Sequence, residues 1–276
     1  MGVLRKILDG VAWAYSWLIH RPYVFLTASD ERLGREPPQR FARTWVATML
    51  LSLVWGVFLA WLWGTAWTVF KETPGDYWMR SAAVVSATVL WLYRRSLLAL
   101  GECLARDVRE QALVVCVAVV VLVLVMLGLR RPYDPDWEFF RISDRQINLP
   151  PHWQWLFPMV VQRVLILAPL WGAWAALIAC QFCKPNDQTE PAVAAFARGC
   201  SPLAASASMA VPLALTLVYL NFLGWWRLMI PAMTLLCAIL GGLVLGRRTG
   251  GLKRRTILAV NILTQIAFIL AYLASR

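Results

Sequence analysis

Ser81–Leu100 reads SAAVVSATVLWLYRRSLLAL, and whether this stretch crosses a bilayer decides the fold. Its uncharged part, Ser81–Tyr93, has 13 residues, short of the about 20 that span a hydrocarbon core as a helix. It reaches membrane length only if the helix runs on through Arg94 and Arg95 to Leu100, with both guanidinium groups snorkelling to the interface. Six other runs are long enough or nearly so: Val46–Phe70, Ala112–Leu129, Trp155–Phe182, Leu203–Phe222, Met229–Gly246 and Ile257–Ser275. The chain therefore crosses six or seven times.

Charge separates the two counts. With the N-terminus inside, seven crossings place 18 Lys and Arg in inner segments and 8 in outer ones, leaving Arg163 within a span. Six crossings turn Arg247, Arg248, Lys253, Arg254 and Arg255 outward, against the positive-inside rule. The expected fold is an all-α polytopic membrane protein with seven transmembrane helices in a cell membrane. Its N-terminus is expected to be cytoplasmic and its C-terminus outside.

Composition points the same way. Of 276 residues, 60% are hydrophobic and 15% charged, and the mean hydropathy is +0.60. Soluble domains run at about 45–50% apolar and about 25% charged. A soluble enzyme, a disulfide-stapled secreted domain and a disordered chain are all excluded on this ground. The net charge of +12 sits in short segments between apolar runs, which reads as membrane anchoring and not as a nucleic-acid surface.

Residues 1–276 are expected to form one membrane domain. Residues 1–44 comprise an amphipathic helix and a polar cytoplasmic connector, and 45–276 the bundle. Leu4, Ile7, Leu8, Val11, Tyr15, Leu18 and Ile19 recur at helical spacing opposite Arg5, Lys6, Asp9, Ser16 and His20, the pattern of a helix lying in the inner interface. No signal peptide is read there. Of 16 tryptophans, Trp67, Trp78, Trp137, Trp153, Trp155, Trp225 and Trp226 fall near the outer boundary in this topology. Trp13, Trp17, Trp45 and Trp91 fall near the inner one, as indole rings prefer.

All 15 acidic residues fall outside the apolar runs. Proton- and sodium-coupled carriers usually keep a carboxylate in the bilayer, so that chemistry is disfavoured. No cofactor or metal is expected. A bis-histidine haem needs ligands on facing helices, whereas His20 and His152 are assigned to opposite sides. Cys180-Gln-Phe-Cys183 has a zinc-like spacing, with Cys200 and Cys103 as candidate further ligands, but a second CxxC is missing. The six cysteines read as reduced structural residues.

Gln162 and Arg163 are the candidate anion or lipid-headgroup site, with Asp144 and Glu138 of the outer loop 130–154 as candidate partners for the guanidinium. Arginine stays protonated, so Arg163 is expected to reach water, a carboxylate, a phosphate or backbone carbonyls. Asn261 and Gln265 are four apart and share a helix face with Thr264 adjacent. They, with Asn221, are the candidate interhelical polar contacts. The outer loop mixes carboxylates, arginines and aromatics, including Asp134 and Asp136. Trp55-Gly56, Trp63-Gly64 and Trp171-Gly172 recur in the first and fourth spans, where an inverted repeat is geometrically allowed.

The function expected from these residues is that of a non-catalytic integral membrane protein. It would be a subunit of a larger membrane complex or a channel- or permease-like component, with the bilayer and protein partners or further copies of itself around it. One alternative is a membrane-embedded enzyme acting on a lipid or lipid-linked substrate, using the outer loop with Arg163 or the inner carboxylates Glu102, Asp107 and Glu110. Another is an oligomeric effector that permeabilises the bilayer.

Overall fold

The computed structural model describes residues 44–70, 77–129, 158–187, 189 and 191–275. The expected amphipathic helix and the outer loop lie outside the described residues. Every regular element among the described residues is helical: α1 (Thr44–Phe70), α2 (Tyr77–Leu104), α3 (Val108–Gly128), α4 (Val160–Phe182), α5 (Pro191–Gly199), α6 (Pro202–Ser208), α7 (Ala210–Tyr219), a 3-10 turn (Asn221–Leu223), α8 (Trp226–Thr249) and α9 (Arg254–Ala274). Seven segments are long and apolar enough to cross a membrane, α6 and α7 together making one of them.

The segment that decided the count is a continuous helix. At about 1.5 Å per residue, the 28 residues of α2 extend beyond a hydrocarbon core of about 30 Å. Arg94 and Arg95 lie within this helix, with Arg94 exposed and Arg95 half-buried, and no glycine or proline interrupts it before Gly101. Because α2 runs to Leu104, Glu102 stands exposed in its last turn and not in a loop. A three-residue turn leads to α3. There Asp107 accepts the Glu110 N–H at 2.7 Å, and the Glu110 carboxylate reaches back to the Arg106 N–H at 2.7 Å. Two of the three inner carboxylates named for the enzyme alternative are thus engaged in starting a helix.

Packing sets the directions. Gly56 meets Ile166 and Gly64 meets Gln162, so α1 and α4 are antiparallel. Gly242 meets Ala179 and Gly246 meets Cys183, so α4 and α8 are parallel. Gly241 meets Leu263 while Thr249 meets Thr256, so α8 and α9 are antiparallel. These directions are those of successive crossings, and Thr44 and Ala274 lie at opposite ends of the bundle.

Helix α4 occupies the centre, 89% buried over its most apolar stretch, against 22% for both α3 and the α6–α7 pair. Its small residues Ala168, Gly172, Ala173, Ala175, Ala176 and Ala179 allow α1, α8 and α9 to approach it closely. Trp171 and Trp174 fill the space that remains, edge to face at 5.5 Å, with Trp171 stacked on Phe268 of α9.

The fifth crossing runs as one span, Pro202–Tyr219, with its helical hydrogen bonding interrupted at Met209, where the backbone stays in the right-handed helical region. Pro212 has no N–H for the Ser208 carbonyl, and its ring crowds that group. Accordingly α6 ends at Ser208 and α7 begins at Ala210. The central tryptophans hold both pieces: Trp174 Nε1 donates to the Ala205 carbonyl at 3.0 Å and Trp171 Nε1 to Thr216 Oγ1 at 2.9 Å. Thr216→Val keeps the shape and removes the acceptor. It is expected to destabilise the protein by about 1 kcal/mol in detergent unfolding, with Trp171 fluorescence shifting as its N–H loses its partner.

Candidate functional site

Polar groups concentrate at three levels of the apolar bundle. At the end where α4 begins, Arg163 is buried at 4% exposure. Its Nε donates to the Pro158 carbonyl at 2.6 Å, and a terminal nitrogen donates to the Tyr219 carbonyl at 3.3 Å. Tyr219 is the last residue of α7, where helix carbonyls lack intrahelical donors and the dipole is negative. The guanidinium therefore ties the start of α4 to the end of α7. Gln162 is also committed to backbone: its Oε1 accepts from the Met159 N–H at 2.9 Å and its Nε2 donates to Ala60 of α1 at 3.0 Å, beside Gly64. Asp144 and Glu138, the candidate partners, lie outside the described residues. Asn221 is exposed in the 3-10 turn, where its carbonyl accepts from Gly224. It is not brought between helices.

The middle level is a polar seam on α9. Gln265 Nε2 donates to Asn261 Oδ1 at 2.6 Å within the helix, and Gln265 is also in side-chain hydrogen-bond contact with Tyr93 of α2. Both α9 residues abut Gly172 of α4. Three helices thus meet at one amide pair. Tyr93 was not singled out from the sequence, although it is the last residue before the Arg94-Arg95 pair. The glycines of all three Trp-Gly pairs are places where another helix comes closest: Ile166 at Gly56, Gln162 at Gly64, and Asn261 with Gln265 at Gly172.

The third level is the opposite end, where α2 and α4 finish and α8 turns into α9. Gly250 and Gly251 hold positive φ of 70° and 127°, and a left-handed Gly250 closes α8 in the usual manner. A loop from α4 is strapped to this turn. The Leu252 N–H donates to the Lys184 carbonyl at 3.2 Å, and Thr189 Oγ1 donates to the Leu252 carbonyl at 2.9 Å. Arg248 donates to the Leu104 carbonyl at 2.9 Å, joining the end of α2 to the same turn.

The cysteines near this end are packing groups. Cys183 Sγ donates to the Gly242 carbonyl at 3.0 Å and sits against Gly246. Cys200 is buried, with Gln181 Nε2 on its carbonyl at 2.8 Å. Among the described residues no three His, Cys, Asp or Glu side chains are grouped to hold a metal ion. Burial pushes the Cys200 thiol up to about 11, so at pH 7.5 well under ~0.1% is thiolate, the reactive form. An aqueous maleimide is expected to leave Cys200 unmodified in the folded protein and to label it after denaturation, as peptide mass spectrometry reads directly.

The chain matches no family model, no curated protein and no solved structure. Its function is therefore argued from its own geometry.

Proposed function

We propose that this protein is a non-catalytic component of a larger membrane assembly, with its N-terminus in the cytoplasm and its C-terminus outside. The observation that carries the reading is the filled centre. Helix α4 occupies the axis where a conduit or a substrate cavity would lie, and it is enclosed on its flanks by α1, α8, α9 and the α6–α7 pair. Its tryptophans, its buried arginine and the amide pair facing Gly172 all tie one helix to another. Between the two expected arms, this favours a subunit over a channel or permease. It also weighs against the enzyme reading, since Asp107 and Glu110 cap α3 and Arg163 binds backbone.

Orientation rests on charge. Among the described residues, eleven of fourteen Lys and Arg lie toward the end formed by Leu104, Lys184 and the α8–α9 turn, and only Arg80, Arg163 and Arg227 toward the other. The basic end is read as cytoplasmic.

Helix α3 presents Leu113, Val117, Val120 and Leu124 outward. A photocrosslinking residue at Val117, introduced in the native membrane, is expected to trap one partner polypeptide in stoichiometric yield, while one at Val54, exposed on α1, is not. Diffuse crosslinking to lipid from both positions, together with a solitary chain that moves a solute or turns over a lipid after purification, overturns the proposal.

A further inference from the structure

The outer face of α8 carries an apolar groove of about 400 Å³, lined among others by Met233, Leu236, Cys237, Leu240 and Val244, with Leu263 of α9 on one wall and Leu104 of α2 at its end. Met233 to Val244 covers three turns, about 17 Å of helix, and the groove follows the direction in which α8 crosses. It opens toward lipid, since Met233, Leu236, Leu240 and Val244 are each about half exposed. Its end at Leu104 is also the basic end of the bundle. There the Arg248 guanidinium is held on the Leu104 carbonyl, and Arg255 lies close enough to Cys103, the preceding residue of α2, to act on its thiol electrostatically. An acyl-chain-sized apolar trough thus ends at a turn of α2 to which Arg248 is bonded, with Arg255 close by and its Nε buried without a hydrogen-bond partner. Of the carboxylates nearby, Asp107 and Glu110 are engaged in the α3 cap, and Glu102, exposed in the last turn of α2, also acts on the Cys103 thiol.

We infer that this groove is a binding site for one anionic phospholipid, its acyl chain along α8 and its phosphate between Arg248 and Arg255. Charge complementarity selects the occupant. A neutral lipid or an apolar partner helix would fill the trough equally well but bring no anion to the arginines. The inference holds whichever side of the membrane the basic end faces. It is separate from the sequence-derived Arg163 site, which is at the other end of the bundle. Each basic contact at a membrane surface is worth about five- to sixfold in affinity, so two give about thirtyfold.

The test is native mass spectrometry of the full chain in mild detergent, offered equal phosphatidylglycerol and phosphatidylcholine of the same acyl composition. The expected result is one retained phosphatidylglycerol per chain, preferred about thirtyfold. The preference should fall to about twofold or less in Arg248→Gln/Arg255→Gln, with apolar retention kept, and both lipids should be lost in Cys237→Trp, which fills the trough. Should the arginine pair be needed for folding, the wild-type protein still decides. Phosphatidylglycerol must raise its unfolding temperature above that in phosphatidylcholine, and Cys237→Trp must abolish the difference. Equal retention of the two lipids, a preference untouched by the arginine substitutions, or a second polypeptide in the groove with no lipid bound overturns the inference.

Discussion

Gly56→Leu is expected to prevent assembly of the bundle, and Gly56→Ala to weaken it measurably. A Cβ at this position would lie 2.5 Å from the Ile166 carbonyl oxygen, 2.7 Å from its Cα and 2.9 Å from its carbonyl carbon. All three atoms are backbone, so no side chain can rotate away and α1 itself must back off from α4. Overpacking of this kind costs about 1–3 kcal/mol. Alanine's better helix propensity, about 1 kcal/mol, offsets only part of that. Val57, half exposed on the same helix, is the control: Val57→Ala should stay within about 0.5 kcal/mol of wild type. Chemical or thermal unfolding in detergent reads both. If Gly56→Ala is as stable as Val57→Ala, α1 and α4 do not meet at Gly56.

Arg163→Leu is the second large effect. It removes the charge-assisted hydrogen bonds to the Pro158 and Tyr219 carbonyls, while relieving the burial of a charge. Bonds to charged groups are worth about 1.5–3 kcal/mol each, and the relieved desolvation offsets part of them. A net loss of about 2 kcal/mol is expected, with the α6–α7 pair loosening first because Arg163 holds its end. Arg163→Lys should recover part of the loss, since an ammonium reaches one carbonyl but lacks the planar fork. Hydrogen exchange resolved along the chain distinguishes this from uniform destabilisation: Ala210–Tyr219 should lose protection before α9 does. Unchanged stability and unchanged protection in Arg163→Leu would make the residue a bystander.

The crossings were legible because a bilayer demands long apolar helices whatever their neighbours are. Even Ser81–Leu100 could be resolved, since the charge of the other segments constrained it. The arrangement within the membrane was less legible. In α1 and α3 apolar residues surround the helix, so periodicity does not separate a core face from a lipid face. Lipid tails are as apolar as leucine, and contact is decided by small residues and shape. The small residues of α4 therefore signalled close packing without saying that α4 is central. Pro212 was visible in the fifth span, but the bonds that Trp171 and Trp174 make on either side of the interrupted turn depend on partners distant in sequence. The short inner segment before the fifth span contains α5, whose Val193 and Phe196 are buried where α5 meets α1 and α4. Their spacing of three, after Pro191 at a helix start, was the available signal. At the candidate site, Arg163 and the Asn261–Gln265 pair stood out because polar groups are rare in such spans. Tyr93 did not, because a tyrosine beside two arginines reads as an interfacial residue.

The proposed topology has an odd number of crossings, with the basic end of the bundle in the cytoplasm. Fusing a reporter after Arg276 measures it, using in parallel a phosphatase active only outside the cytoplasm and a fluorescent protein that matures only within it. An active phosphatase and a dark fluorescent fusion are expected. A bright fluorescent fusion with an inactive phosphatase would place Arg276 inside and contradict that topology.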